Sequence, residues 1–238
     1  MIQDNIDYLL RDYDSVTLAD MKRVSLMQRT DTKFVTSRKA LLRLIRLAQT
    51  GYSVQEVAGE RASHYCTLYY DTRNLNMYLD HLHGHANRQK VRVRSYMDCG
   101  LSFIEVKTKN NHGVTGKQRE AFCTFNASSP DYQLRFGTGD CLAADNLIAA
   151  TLRYDATSLQ PVLENHFRRI TLVDNAMTER VTKDLDINFY NITTGMVAAI
   201  PDIAVIELKR DSRRPSAMLS MLRSLGICRA LPSGTSLR

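Results

Sequence analysis

Lys90, Arg92 and Arg94 stand two residues apart in the run KVRVR, and Glu105, Lys107 and Lys109 repeat that spacing further on. In an extended chain this period sends the charged side chains to one face and Val91, Val93, Ile104 and Val106 to the other. Cations that close repel one another unless an anion lies between them, so the pattern suits a polyanion. The same spacing recurs in Arg29-x-Asp31-x-Lys33, Lys117-x-Arg119, Arg169-x-Thr171, Arg180-x-Thr182-x-Asp184-x-Asp186 and Glu207-x-Lys209. Together these faces carry Arg29, Lys33, Lys90, Arg92, Arg94, Lys107, Lys109, Lys117, Arg119, Arg169, Arg180 and Lys209 against Asp31, Glu105, Asp184, Asp186 and Glu207. A solvated basic edge that discourages aggregation would explain one such run. Repetition along the chain calls for a single explanation.

Strands must position these faces. Asp98-Cys99-Gly100 turns the Lys90 run back into the Glu105 run as a hairpin, and further strands are expected near 29–34, 52–57, 64–71, 117–125, 160–173, 180–187 and 205–209. An amphipathic helix is expected around 16–27. Ser37 can cap a second helix carrying Leu41, Leu42, Leu44, Ile45 and Leu47, which stops near Gly51. Asp71 or Thr72 caps a short helix through Leu79, another helix runs over about 141–150, and Pro215 sits just inside a last one, around 215–225, closed by Gly226. The expected class is α+β: an antiparallel β-barrel with the charged faces lining a tunnel and helices packed on the apolar outside, in one domain over 1–238. A cationic interior of this kind is stable only when filled by a polyanion, water and counterions, because unpaired buried charge is costly.

Composition narrows the partners. The 238 residues are 44% hydrophobic, enough to bury a full core, and the net charge of +7 predicts an acidic ligand. No stretch reaches the roughly 18 to 20 apolar residues of a membrane span, and Asp4, Asp7, Arg11, Asp12 and Asp14 stand where a signal peptide would be apolar, so a cytoplasmic location is expected. Cys66, Cys99, Cys123, Cys141 and Cys228 are widely spaced with no CxxC pair, which argues against a disulfide framework and against a cysteine-based zinc site. The spacing of His81, His83 and His85 around Gly84 reads as a turn more readily than as a metal site. Base-stacking aromatics are not interleaved with the cations and Trp is absent, which argues against a nucleic-acid partner.

These runs, together with Tyr69-Tyr70-Asp71-Thr72 followed by Leu75, Tyr78 and His81, resemble the VTC domain found in polyphosphate polymerases, within the triphosphate tunnel metalloenzyme superfamily. The resemblance covers nearly the whole chain. It implies an antiparallel tunnel whose basic walls bind a nucleoside triphosphate or polyphosphate, with a divalent metal, Mn or Mg, on Glu207. Lys33, Arg92, Arg94, Lys107, Arg180 and Glu207 would then carry the reaction. All twelve cations of the charged faces would hold phosphate oxygens, and Glu105, Asp184 and Asp186 are further candidates for the metal. Asp31 stands where the wider superfamily usually carries Glu, and the family's Ser-Lys-Tyr run after the last helix has no counterpart here.

Phosphoryl transfer depends mainly on positioning and charge neutralisation, for which Arg forks, Lys charges and a hard cation on carboxylate oxygen are suitable parts. The leading expectation is a polyphosphate polymerase that moves the terminal phosphoryl group of ATP onto a growing inorganic polyphosphate chain. The alternatives are a tripolyphosphatase or nucleoside triphosphatase, in which Glu105, Asp184 or Asp186 would orient water, and a non-catalytic module that senses polyphosphate. The sequence names no protein partner.

Overall fold

The computed structural model describes residues 5–21, 29–111, 115–122, 136 and 141–230. In chain order its elements are α1 (Ile6–Leu10), β1 (Ser15–Val16), α2 (Leu18–Met21), β2 (Arg29–Ser37), α3 (Arg38–Ala48), β3 (Tyr52–Gln55), β4 (Ser63–Thr72), α4 (Asn76–Leu82), β5 (Arg88–Tyr96), β6 (Leu101–Lys109), β7 (Thr115–Phe122), α5 (Leu142–Thr151), β8 (Leu159–Asp174), β9 (Glu179–Asn191), β10 (Val197–Ile200), β11 (Ile203–Asp211) and α6 (Ala217–Ser224). The class is α+β. Where a helix was expected at 16–27, α2 covers Leu18–Met21, and residues 22–28 lie outside the described ones. Among the described residues no helix is long and apolar enough to cross a membrane.

The chain divides into two compact units. Of the described residues, unit one comprises those within 1–64, 167–188 and 199–230, and unit two those within 65–166 and 189–198. In unit one the strand order is β2-β11-β9-β8, antiparallel where β11 meets β2 and β9, with β3 on β8 and β1 parallel to β3. In unit two it is β8-β4-β5-β6-β7, the first half of the long β8 belonging here.

Each order ends on an edge strand, β2 in one and β7 in the other, so among the described residues backbone pairing does not strictly close the sheet. At β2 the physical reason is visible. Ala230 N–H donates to the Lys33 carbonyl at 2.8 Å and Phe34 bridges to Arg229, so the segment after α6 already takes hydrogen bonds that a closing strand would need.

Unit one buries the apolar sides of its strands under α3 and α6. Ser37 accepts from Ala40 N–H to start α3, whose Leu41, Leu44 and Ile45 are fully buried and meet Val181, Leu185, Ile206 and Leu208 of the sheet in one core. Each such side chain contributes about 1.5–3 kcal/mol by leaving water. Ser216 caps α6, placing Pro215 just before the helix, where the sequence suggested it would lie just inside. Gly226, at φ +65°, ends it in the left-handed region.

One polar side chain interrupts this core. Lys183 lies on the same side of β9 as Val181 and Leu185, is 0% exposed, and has no hydrogen-bond partner among the described residues. Burial pushes its amine down to about 7.

Unit two has its own core of Leu68, Val91, Val93, Ile104, Val106 and Ile148, with Met77 and Phe122. Asp71 organises the approach to α4: its carboxylate accepts from the backbone N–H groups of Thr72, Met77 and Tyr78 at 2.7–2.9 Å. The histidine run ends that helix. Gly84, at φ +73°, supplies the left-handed residue after it, and His85 Nδ1 meets Asp80 at 2.8 Å.

Candidate phosphate-binding site

The alternation in the Lys90 run becomes a two-dimensional array in unit two. Across β5, β6 and β7 the register aligns Lys90, Lys107 and Lys117 in one row and Arg92, Glu105 and Arg119 in the next. Arg88 lies opposite Lys109 on one flank of these rows, and Arg94 opposite Phe103 on the other. Eight cations and one carboxylate therefore share this face, while Val91, Val93, Ile104 and Val106 fill the core behind it.

Glu105 is the pivot of the array. Its side chain is 2% exposed, Arg92 reaches its Oε2 through Nε at 2.7 Å and NH2 at 2.6 Å, and Lys117 pairs with Oε1. Burial acts to raise this carboxyl, but Arg92, Lys117 and Arg94 outweigh it and hold the group below the usual range, so it is ionised. For Lys117, burial lowers the amine's pKa and repulsion from Arg92 and Arg94 adds to it, against the pull of Glu105. A second anion would relieve that repulsion.

The rim is neutral and aromatic. Tyr69 and Thr67 of β4 lie opposite Arg92 and Arg94 and offer hydroxyl oxygens at 3.4 Å to each. Arg119 lies over the Phe103 ring at 4.8 Å, which helps to hold its guanidinium plane.

Unit one presents a different face. Lys33, Glu207 and Thr182 form one row across β2, β11 and β9, and Asp31, Lys209 and Arg180 the next. Asp184 lies opposite Val205 and takes both oxygens to Arg169, whose Nε and NH2 donate at 2.6 Å. Four cations meet three carboxylates here, so charges are largely paired already.

Lys209 Nζ bridges two of those carboxylates, 2.8 Å from Asp31 and 3.1 Å from Glu207. A positive group between two acidic oxygens occupies the kind of place that a hard divalent cation takes. Burial acts to raise the Glu207 carboxyl, but Lys209, by charge and hydrogen bond, and Lys33 hold it below the usual range. Glu207 and Asp31 are therefore a pair of oxygen donors that fits a hard divalent cation.

Asp186 leaves this face. It sits at φ +53°, and its carboxylate meets Arg38 at 2.5 Å and Arg168 at 3.7 Å. Arg168 precedes Arg169 on β8 and so points to the opposite side, where it also pairs with Asp7. The sequence spacing had put Asp184 and Asp186 together; the left-handed residue breaks the period. Arg29 is paired through its backbone with Asp211 at the end of β2, and its side chain lies outside the described residues. Sequence reasoning passed over Arg88, which is two residues before Lys90 and so had a signal, and the rim hydroxyls of Tyr69 and Thr67, which only the β4–β5 register reveals.

The family model of the VTC domain matches residues 28–231, and the chain belongs to that family. No match is found among curated proteins. Among solved structures, a candidate adenylate cyclase from Bacillus halodurans is similar at a TM-score of 0.55 and 11% identity, over 88% of this chain and 97% of that one. A candidate adenylyl cyclase from Hippeastrum, with a dominant triphosphatase activity, matches at 0.47 and 13% identity, over 87% and 91%. The first likeness is one of fold alone.

Proposed function

We propose that this chain is a metal-dependent polyphosphate polymerase that moves the terminal phosphoryl group of ATP onto inorganic polyphosphate. The observation that carries this over hydrolysis is the commitment of the carboxylates. A hydrolase that works through a carboxylate base needs one of them free to orient and deprotonate water. Glu105 is held by Arg92 and Lys117, Asp184 by both arms of Arg169, and Asp186 by Arg38 and Arg168. A polyphosphate end is already an anionic nucleophile and needs no base.

In this reading Lys90, Arg92, Arg94, Lys107, Lys109, Lys117 and Arg119 of unit two and Lys33, Arg169, Arg180 and Lys209 of unit one bind phosphate oxygens, joined by Arg29. The terminal oxygen of the chain attacks the γ-phosphorus of ATP, the bond to the β,γ-bridging oxygen breaks, and ADP leaves with that oxygen and its electron pair. Arg92, Arg94 and Lys107 of unit two, and Lys33 and Arg180 of unit one, are the cations offered for neutralising phosphate charge. A divalent ion on Glu207 and Asp31 would supply further charge neutralisation at phosphate oxygens. With ATP as donor, the work is placed in the cytoplasm.

The test is incubation of the purified chain with ATP and Mn or Mg, followed by sizing of the phosphate product. Long polyphosphate with ADP is the expected result. Free phosphate without polymer would replace this reading by a triphosphatase, and tight tripolyphosphate binding without turnover by a sensor module.

A further inference from the structure

Unit two contains a second cluster of ligand-type side chains that the anion-binding face does not use. Cys66 of β4 and Glu164 and His166 of β8 bring one sulfur, one carboxylate oxygen and one imidazole nitrogen within 4.8 Å of one another. Cys66 Sγ lies 3.7 Å from His166 Nε2, the Glu164 carboxylate meets the same Nε2, and it also hydrogen-bonds the Cys66 thiol. Cys66 and Glu164 are buried, whereas the His166 ring is half exposed, which leaves an entry path.

Two readings of such a trio compete. A nucleophilic relay needs the thiol at one imidazole nitrogen and the carboxylate at the other, so that the second orients the ring while the first takes the proton. Here both converge on Nε2, which can serve only one partner at a time. Three donors directed at a common point are instead the arrangement of a metal site.

The dimensions agree. Bonds of about 2.3 Å to sulfur and about 2.05 Å to nitrogen at a tetrahedral angle place those two ligand atoms about 3.5 Å apart, close to the separation of Cys66 and His166. Glu164 and His166 are nearer than that because a proton joins them; it leaves, as does the thiol proton, when an ion enters.

We propose that Cys66, Glu164 and His166 form a transition-metal site, best suited to zinc, with a fourth coordination position open to water. Thiolate and imidazole select zinc over Mn or Mg, whereas the carboxylates at Glu207 and Asp31 have the opposite preference. Cys66 adjoins Thr67 in β4 and so faces away from the side where Thr67 and Tyr69 meet Arg94 and Arg92. The trio and the anion-binding face of unit two thus lie on opposite sides of β4, and the zinc ties β4 to β8 within unit two. The lack of a CxxC pair weighed against a cysteine zinc site, but ligands drawn from strands 100 residues apart leave no local motif.

Metal analysis of the chain after zinc loading and dialysis should find about one zinc per chain, and the cobalt-loaded form should show a thiolate-to-cobalt charge-transfer band in the near ultraviolet. Cys66→Ser and His166→Ala should each lose the zinc and the band. The half-exposed His166 makes the second change tolerable to the fold, which circular dichroism verifies. Glu207→Gln should keep both signals, and tripolyphosphate binding should be unchanged in His166→Ala. A wild-type chain that retains no zinc, or a band that persists in both Cys66→Ser and His166→Ala and so belongs to other thiols, overturns the proposal. Neither result depends on polymerase activity, so this site and the proposed function fail separately.

Discussion

Glu105 and Lys183 are the two residues whose protonation carries the clearest consequences. Replacing Glu105 by Gln leaves Arg92 and Lys117 facing each other with no carboxylate between them, and breaking a buried pair on one side costs about 3–5 kcal/mol. Because the folded carboxyl titrates below its ordinary value of 4.5, its stabilisation is fully present above that pH and is lost as the pH falls through the lower, folded value. Urea unfolding of wild type and Glu105→Gln should therefore differ most near neutrality and converge in acid. Bound tripolyphosphate should narrow the gap at pH 7, since it takes over as the counter-charge. Lys183 has the opposite sign. Its folded amine titrates near 7 against 10.5 when unfolded, so the folded state is penalised in full below 7 and progressively less as the pH rises to 10.5. Lys183→Met should stabilise the protein by roughly 2–4 kcal/mol at pH 7, a gain that shrinks by about 1.4 kcal/mol per pH unit above it. A stability loss at pH 7 would mean that the amine has a partner in the folded chain.

At the scale of elements, Asp71 shows how one side chain sets the geometry of a whole connection. It accepts three backbone N–H groups between the end of β4 and the start of α4, so Asp71→Ala should cost about 2–3 kcal/mol in denaturant unfolding. Asp71→Asn, which retains an acceptor oxygen, should recover part of this. The Tyr69-Tyr70-Asp71-Thr72 run that carried the resemblance is thus accounted for by local structure: a rim hydroxyl, a core ring and a cap. Much of the fold was legible for the same reason, since the two-residue period of the Lys90 run and the apolar spacing of α3 are written in adjacent residues. What the sequence left hidden depends on distance or on backbone sign. Asp186 departs from the face of Asp184 because a non-glycine residue adopts a positive φ, which spacing does not announce. Lys183 interrupts an apolar face yet reads in the sequence as an ordinary strand lysine. Alternation predicts faces and says nothing of how an edge such as β2 ends, where a residue after the last helix takes a backbone hydrogen bond.

For the molecule as a whole, the two units differ in how far their charges are already paired. The positive charge of the strand faces is not spread evenly: among the described residues unit two opposes eight cations to one carboxylate, while unit one opposes four to three. Anion affinity should accordingly reside mostly in unit two, and metal-dependent turnover mostly in unit one. Without added metal, Lys107→Ala and Lys117→Ala should each weaken tripolyphosphate binding by about three- to tenfold, with a smaller effect at high salt because partly exposed charges are screened. Glu207→Gln should leave that metal-free binding within about threefold of wild type, yet lower polymer formation by about a hundredfold or more, as chelation of the metal should. Calorimetric titration with tripolyphosphate beside the ATP-to-polymer assay separates the two effects. If Glu207→Gln weakened metal-free binding as much as Lys107→Ala does, Glu207 would act by organising Lys33 and Lys209 for phosphate, and the metal would have to be sought on other oxygens.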